Sequence, residues 1–326
     1  DYIFSGNFAF NEKQIVPCIF HPREDFSYTE ENIQKIFKIL QKKKLFKVND
    51  LKEKKVNDYP PKPFITTTLQ QTAYNTHGFS IKHTMSIAQK LYDNGKITYM
   101  RTDSTFISDE FKRTLETHIN DTYNDEHNSY YYDPKDKMKK VKGAQEAHEC
   151  IRVTDINYKL NDKYTEEDHK IYNLIKKRTI MSHMKPAIYN QMELSLANKQ
   201  VDGLFIGKHK NLIFDGYLKY NNVPLSDRLN INSKNVFILQ DAECKENYSN
   251  PPGYYNESSL VKKLESSGIG RPSTYASIVS TLYNRNYTIV KNIDPYEKHI
   301  TVYSLDDKND INQQKSYQKI SMQKNK

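Results

Sequence analysis

The sequence predicts a mixed α and β fold in which a helical domain interrupts a β-rich one. Strand-like alternation of apolar and polar residues opens the chain in the stretch YIFSGNFAF. Apolar residues then recur at helical spacing through much of 59–185, and strand-like alternation returns between residues 187 and 240. A β region, a helical insertion and a second β region are typical of one β domain that a helical domain interrupts.

The first β segment contains one predicted helix, in TEENIQKIFKILQKKK. Thr29 is a suitable N-cap, and acidic residues occupy the first turn and lysines the last. The apolar residues lie at helical spacing, so we expect an ordinary amphipathic helix with one buried face. That face comprises Ile33, Ile36, Phe37 and Leu40.

Three further helices are predicted after the proline-rich stretch DYPPKPF, which marks a boundary. Ser80, Ser108 and Thr165 are candidate N-caps, and Thr165 with Asp168 has the spacing of a capping box. We expect Gly95 to end the first of these helices. We also expect its apolar stripe to lie in the core: Ile81, Met85, Ala88, Leu91 and Tyr92.

Strands return in MELSLA, GLFIG, NLIFDGYLKY and NVFIL, and two more helices flank a pair of glycines in SLVKKLESSGIGRPSTYAS. The last residues, DDKNDINQQKSYQKISMQKNK, are polar and low in complexity, so we expect either a disordered tail or an unnatural truncation point. The patterns alone predict a β region up to about residue 56, a helical region after the boundary at 58–64, a second β region from about 187 to 240, a further helical part and a polar tail at 301–326.

Composition narrows the classes of function. The 326 residues suffice for two or three domains, and no apolar run is long enough to span a bilayer. Three widely spaced cysteines form no CxxC pair, which argues against a zinc ribbon and suits a reducing compartment. The net charge of +9 suits a polyanionic partner and equally an ordinary lysine-rich surface. Since the chain begins at Asp1 without a signal peptide, we expect it to be a piece of a longer or processed protein.

A tyrosine and an arginine lie two positions apart in KITYMRTDST, residues 96–105. We expect an extended chain here, with Ile97, Tyr99 and Arg101 on one face. A guanidinium favours the phenolate form of a nearby tyrosine, which otherwise titrates near ~10, and its fork of donors binds phosphate. Tyr99 and Arg101 therefore suit attack on a phosphodiester, although a lone Tyr-x-Arg triplet is more often structural.

A second polar cluster lies in KGAQEAHECIRVTD. His148 and Arg152 are four positions apart, so a helical turn would place both on one face, where both could donate to a phosphate. Gln145, Glu146 and Glu149 surround them. A lone histidine is more often structural. Here the neighbouring glutamine, carboxylates and arginine favour a functional site as the alternative.

A third cluster lies in SSGIGRPSTYAS. Pro272 suits the first turn of a helix. Arg271, Ser273 and Thr274 would then surround a helix N-terminus, where free backbone N–H groups favour an anion. The structural alternative is a corner between two helices that serine and threonine cap.

Together these stretches resemble the type IA DNA topoisomerases. PFITTTLQQTA, AQKLYDNGKITYMRTDS, GAQEAHECIR and SLVKKLESSGIGRPSTYASIVSTLYNR match that family in order and at similar separations. The resemblance is clear over 59–285 and looser in the flanking β segments. This sequence departs from the family at four positions, where a small residue, a proline, a basic residue and a glycine are usual: Cys150, Val153, Gly253 and Asn286.

The resemblance implies that Tyr99 attacks one DNA strand and becomes linked to its 5′ phosphate, while Arg101 positions that phosphate. Asp103 would help to order the site. The tyrosyl link keeps the energy of the broken bond, so no ATP is required, and the chain carries no GxxxxGK[ST] loop. The other side chains that the resemblance places at or near the DNA are His148, Arg152, Gln145, Glu149, Arg271, Ser273 and Thr274.

The resemblance also implies a toroidal core, with 1–58 and 186–250 as two passes of a β-rich arch and 59–185 as the domain that bears the tyrosine. Residues 251–300 would begin a helical DNA-binding base. No part of the chain resembles the family's N-terminal Toprim domain, which binds Mg²⁺, so we expect no metal ligands here and no activity from this chain alone. The implied protein is a cytoplasmic or nucleoid-associated monomer that acts on a single-stranded segment of negatively supercoiled duplex DNA, and not at a membrane.

Two other functions are compatible with parts of the sequence. A non-catalytic single-stranded DNA-binding module would use the same basic and aromatic residues without chemistry. A Toprim domain upstream of Asp1 would argue against that module. A tyrosine recombinase or a rolling-circle nuclease would require an Arg/His pentad or an HUH metal motif, and neither is visible.

Overall fold

The computed structural model describes residues 1–11, 14–134, 148–227, 229–306, 308 and 310–320. These residues contain seven α-helices, a short 3-10 helix at Gly216–Asn221 and eight strands, so the predicted mixed α and β class is confirmed. Among the helices of this described part, none is long and apolar enough to cross a membrane.

Six antiparallel strands close into a barrel. They are β1 (Tyr2–Asn11), β2 (Gln14–Pro22), β3 (Leu45–Asp58), β4 (Ala187–Ala197), β5 (Gly203–Phe214) and β6 (Val236–Glu246). Their order is β1-β2-β5-β4-β3-β6, and β6 pairs back with β1. Three of the strands precede the helical region and three follow it. One sheet is therefore built from both sides of that region, as the alternation of apolar residues predicts.

Aromatic side chains fill the barrel, and helix α1 (Glu30–Lys42) packs against them. Phe37 of this helix stacks on Phe4 of β1, with ring centroids 4.9 Å apart. The predicted N-cap is confirmed, because the Thr29 hydroxyl accepts the Asn32 N–H at 3.3 Å. The whole predicted apolar stripe of α1 is buried. Each side chain of this size contributes roughly 1.5–3 kcal/mol on burial, and the same interior holds Phe8, Phe20, Phe46, Phe205 and Phe237.

Four helices lie between the strands: α2 (Thr66–His77), α3 (Ile81–Asp93), α4 (Asp109–Tyr123) and α5 (Glu166–Met181). Helix α2 was not predicted, and its N-cap, Ile65, makes no side-chain capping bond. The predicted N-caps of α3, α4 and α5 are confirmed. The hydroxyls of Ser80 and Ser108 accept N–H groups three residues further on, at 3.2 and 3.4 Å. Thr165 and Asp168 form the predicted capping box. Gly95, in the left-handed region at φ 66°, follows the end of α3 as expected.

Extended segments run through the core of this helical region. Phe64 pairs with Ile151, and Ile97 pairs with Val153, as isolated antiparallel bridges. All four side chains are at most 1% exposed. The chain that leaves α3 is thereby tied to the centre of the region at residue 97, which determines where residues 98–105 emerge.

Helices α6 (Glu257–Ser266) and α7 (Tyr275–Asn284) pack on α2 and α3 through a small apolar cluster. Two glutamates of α6 add polar contacts. Glu265 accepts the Thr67 hydroxyl at 2.7 Å, and Glu257 accepts the Ile81 N–H at 2.7 Å. The buried members of the cluster are Ile81, Val261, Tyr275 and Val279.

The sequence places Pro272 in the first turn of a helix, but α7 begins only at Tyr275. The Thr274 hydroxyl accepts the Arg271 N–H at 2.8 Å, and the Thr274 N–H donates to the Arg271 carbonyl at 2.8 Å. These two bonds close a tight turn ahead of the helix. The prediction is wrong by one turn because the Thr274 side chain hydrogen-bonds the Arg271 main chain and so holds a turn where the helix was expected to start.

The expected disorder of the polar tail is wrong for the part of 301–326 that the structure describes. Residues Tyr296–Leu305 form strand β7 and Ile311–Ile320 form β8, and this hairpin extends the sheet from β6. Strand β7 buries Ile300, Val302 and Leu305. Most of β8 is exposed, so its polar composition suits a strand with a solvated face and does not indicate disorder.

Candidate active site around Tyr99

The loop after α3 is held at its start by pairing with residues 150–152. The Thr98 N–H donates to the Arg152 carbonyl at 2.9 Å, and the Arg152 N–H donates to Thr98 Oγ1 at 2.9 Å. The Thr98 hydroxyl donates in turn to the carbonyl of Cys150 at 2.6 Å. These bonds satisfy polar groups of a partly buried junction. Tyr99 follows directly, so its main chain starts from a fixed point.

Beyond Tyr99, the loop is bound to the first residue of α2. The Thr66 hydroxyl donates to the Met100 carbonyl at 2.7 Å and accepts the Thr102 N–H at 2.9 Å. The Thr66 N–H donates to the Thr102 carbonyl at 2.9 Å. Since Thr66 is fully buried, this side chain fixes the loop from inside the protein.

These contacts overturn the prediction that Ile97, Tyr99 and Arg101 share one face. Ile97 is buried at 1% exposure, Tyr99 is partly exposed and Arg101 is exposed. Met100 is completely buried. Strict alternation fails because the bonds to Thr66 bend the chain on both sides of Arg101, where an unconstrained strand would continue straight.

The Tyr99 ring lies beside two other rings. Tyr92 approaches it edge-on at 5.3 Å between centroids, and His148 lies 5.8 Å away. The sequence predicts Tyr92 in the core stripe of α3, but this residue is 40% exposed. The prediction is wrong because Tyr92 occupies the last turn of the helix and packs on Tyr99. The two neighbouring rings restrict Tyr99 without burying it.

The third predicted cluster lies near this loop. Burial raises the pKa of Tyr275, the carboxylates of Glu265 and Asp103 raise it further, and Arg271 opposes them. Asp103 and Arg271 are therefore both within electrostatic range of one side chain at the start of α7. Arg271, Ser273 and Thr274 are all exposed. The start of α7 thus lies within electrostatic range of the loop that carries Asp103.

The second predicted cluster is extended and not helical. Residues 148–153 contain only the isolated bridges at Ile151 and Val153. The predicted shared helical face of His148 and Arg152 is therefore wrong, because pairing with Phe64 and Ile97 holds this segment straight. His148 lies against Tyr99, whereas Arg152 packs elsewhere. Gln145 and Glu146 lie outside the described residues.

Glu149 and Arg152 bind each other. Arg152 Nη2 lies 2.6 Å from Glu149 Oε2, and the guanidinium lies 3.8 Å from the centroid of the Phe111 ring. Glu149 Oε1 accepts the Ser108 N–H at 2.6 Å. Burial opposes ionisation of Glu149, yet the Ser108 N–H and the guanidinium hold its pKa below the usual range. This carboxylate is charged and has partners on two sides.

Sequence reasoning missed Thr66, Thr67 and Thr98 as residues of the site. Both Thr66 and Thr67 are buried in the first turn of α2, at 0% and 2% exposure. The stretch PFITTTLQQTA contains a signal for Thr66 and Thr67. Consecutive threonines occupy the first turn of a helix whose N-cap, Ile65, has no hydroxyl to cap it. Polar residues in a buried first turn indicate partners from another segment.

Magnesium is bound in proteins by oxygen ligands, chiefly carboxylates. In the part of the chain that the structure describes, no group of three His, Cys, Asp or Glu side chains could hold a metal ion. Among the described residues, the side chains around Tyr99 therefore do not fit a magnesium ion by themselves.

Comparison with known proteins gives the same family throughout. The family model described as DNA topoisomerase matches residues 11–320. A protein named DNA topoisomerase 1 from Rickettsia bellii is 38% identical over 287 residues, covering 82% of this chain and 36% of the relative. DNA topoisomerase 1 from Helicobacter pylori (strain ATCC 700392 / 26695) is 40% identical over 277 residues, covering 80% of this chain and 37% of the relative.

A solved structure is similar as well. Full-length topoisomerase I from Thermotoga maritima superposes with a TM-score of 0.70 at 31% identity, over 90% of this chain and 48% of that one. The chain spans 36% of the length of the Rickettsia bellii relative. The ordered motifs, the fold and the matches over nearly the whole chain agree: the chain belongs to the type IA DNA topoisomerases.

Proposed function

We propose that the full-length protein carrying this chain is a type IA topoisomerase that relaxes negatively supercoiled DNA without ATP. The observation that carries this proposal is the loop at 98–102. Thr98 and Thr66 fix its main chain on both sides of Tyr99, while Tyr99 and Arg101 keep exposed surface. A nucleophile held in this way loses little further freedom when a substrate binds.

In the proposed reaction, the phenolic oxygen of Tyr99 attacks a phosphorus atom of one DNA strand. A bond forms between this oxygen and phosphorus as the bond from phosphorus to the 3′ oxygen breaks. The phenol gives up its proton as it attacks, the 3′ oxygen takes up a proton and leaves as a hydroxyl, and the 5′ phosphate stays on Tyr99. After strand passage, the same hydroxyl attacks the phosphotyrosine and restores both groups. Arg101 would stabilise charge on the phosphoryl oxygens during both steps.

The exposed residues near α7 would hold the DNA backbone. Arg271 and Ser273 carry donors on the surface beside Tyr275, and side chains of this kind commonly contact phosphates. The Thr274 hydroxyl donates to the Arg271 carbonyl at 3.2 Å, so Thr274 would act by shaping this turn. His148 would meet the strand beside Tyr99. We propose that magnesium binds to the Toprim domain that the resemblance implies for the full-length protein. The DNA that is cleaved would be a single-stranded segment.

A covalent trap tests the proposal. Single-stranded DNA labelled at its 3′ end would be mixed with the full-length protein, with its Tyr99→Phe variant and with this chain alone, and then denatured. The label should remain on the full-length protein, because Tyr99 would carry the strand through its 5′ phosphate. The variant should carry no label, and this chain alone nearly none.

Three outcomes would contradict the proposal. Label that survives in Tyr99→Phe would show that another residue is the nucleophile. Retention of a 5′-end label in place of the 3′-end label would indicate the opposite linkage, as in a tyrosine recombinase. Tight binding of DNA by the full-length protein without any covalent label would favour the non-catalytic single-stranded DNA-binding module.

A further inference from the structure

The ion pair of Glu149 and Arg152 is enclosed, although the sequence suggests that both residues meet DNA. The side chains of Arg152 and Glu149 are only 11% and 24% exposed. One face of the guanidinium packs on Phe111, Nη1 donates to the Val153 carbonyl at 3.1 Å and Nη2 pairs with Glu149. Nε is buried and has no hydrogen-bond partner among the described residues, so it is burial that leaves this guanidinium little donor surface for a phosphate.

The pair connects two elements of the helical region. Glu149 accepts the N–H of Ser108, the N-cap of α4, and Arg152 lies over Phe111 in the first turn of that helix. The ion pair therefore anchors the extended segment 148–153 on the start of α4. A charge pair that is largely buried and hydrogen-bonded on both sides holds its geometry more firmly than an exposed pair does.

The same segment carries the residues that hold Tyr99. The main chain of Arg152 exchanges hydrogen bonds with Thr98, the residue before Tyr99. His148, the residue before Glu149, lies against the Tyr99 ring. A shift of 148–153 relative to α4 would move both supports of the tyrosine together.

We propose that Glu149 and Arg152 are positioning residues for Tyr99, which brace the 148–153 segment against α4 and do not contact DNA. This inference rests on the proposed function, since it assigns these side chains a role in presenting the nucleophile. A misplacement of about 1 Å at a reacting group costs roughly 100-fold in rate. Loss of the brace should therefore slow cleavage without weakening the binding of DNA.

Two variants of the full-length protein test the brace. Arg152→Lys keeps the charge and loses the planar fork. The double variant Glu149→Gln/Arg152→Gln removes both charges together, so that no lone charge stays buried and the protein can fold. Arg178→Lys is the matched control, because Arg178 also packs on a ring, 4.0 Å from the Phe64 centroid, and its guanidinium donates to the Lys62 carbonyl.

Three quantities would be measured at temperatures well below each Tm: the single-turnover rate of covalent complex formation, the Kd for single-stranded DNA, and the slope of log Kd against log salt. We expect both brace variants to form the complex about 10- to 100-fold more slowly. Their Kd values should stay within about twofold of wild type and the salt slope should not change, because no phosphate contact is lost. Arg178→Lys should cleave like the wild type.

Unchanged cleavage in both brace variants would overturn the inference. A salt slope that falls by about 0.7 in the double variant would also overturn it, because that change is the signature of one lost phosphate contact on a single strand. A wild-type protein that forms no covalent complex would instead overturn the proposed function, and this inference with it. If the wild type forms the covalent complex and both brace variants form it equally fast, only the proposed brace is refuted and the proposed function stands.

Discussion

The hydroxyl of Thr66 donates a hydrogen bond to the carbonyl oxygen of Met100 at 2.7 Å, across 34 positions of the sequence. Both residues are completely buried. Thr66 opens helix α2, and Met100 lies between the proposed nucleophile Tyr99 and its neighbour Arg101. The start of one helix therefore sets the path of the loop on which the proposed chemistry depends.

Replacing Thr66 should reveal the strength of this connection. Thr66→Val keeps the shape but leaves the Met100 carbonyl and the Thr102 N–H without their partner. Leaving buried polar groups unpaired costs about 1–3 kcal/mol, so the free energy of unfolding should fall by that amount in urea titrations. Thr72→Val is the control: its hydroxyl bonds only the Thr68 carbonyl within the same helix, and its loss should cost less. Equal effects of the two substitutions would show that the loop contact adds nothing.

Stability should depend on pH through His183. This residue is completely buried, and burial lowers its pKa from 6.5 to about 4. Between those values the unfolded chain binds more protons than the folded one, so stability rises with pH and is fully present above 6.5. Lowering the pH from 7 to 5 should cost about 2 kcal/mol through this group.

The measurement is the free energy of unfolding at pH 7 and at pH 5, for the wild type and for His183→Gln. The variant should lose less stability over this interval, whatever its stability at pH 7, because glutamine does not titrate. Identical pH dependence in the two proteins would mean that His183 keeps its ordinary pKa in the folded state.

Asn286, which stands where the family usually has glycine, has a φ of 55°. Asparagine tolerates this left-handed conformation better than other residues with a Cβ, which accounts for the departure. Asn286→Ala should lower the free energy of unfolding by about 1 kcal/mol, and Asn286→Gly should leave it nearly unchanged. Thermal denaturation would measure both. Asn222, with a φ of 52°, should respond to alanine in the same way, and tolerance of alanine at both positions would contradict this explanation.

Arg271 should contribute one phosphate contact. The residue is exposed, and its Nη1 donates to the neighbouring Gly270 carbonyl at 2.7 Å, which leaves other donors for a ligand. Arg271→Gln should weaken binding of single-stranded DNA and reduce the slope of log Kd against log salt by about 0.7. Arg23→Gln is the control, because Arg23 pairs with Asp202 at the barrel, and its slope should match the wild type. A slope unaffected by Arg271→Gln would exclude a phosphate contact at this position.

The sequence by itself determined most of the helices, several of their caps and the family. Ser80, Ser108 and Thr165 cap helices as predicted, because a cap and an apolar stripe are interactions between residues a few positions apart. The motif around Tyr99 is likewise continuous in the sequence, so it indicates the type IA topoisomerases without reference to the fold. The roles of the individual site residues and the domain division at 59–185 stay predictions.

Only the tertiary structure decided how distant segments meet. Barrel closure pairs β1 with β6, and the polar strand β8 exists because β7 offers it a partner along its whole length. The same holds for Glu149 and Arg152. The sequence suggests that they contact DNA, whereas in the structure they contact Ser108 and Phe111. The physical reason is that a polar side chain reads the same in a sequence whether its partner is a ligand or a buried group from another segment.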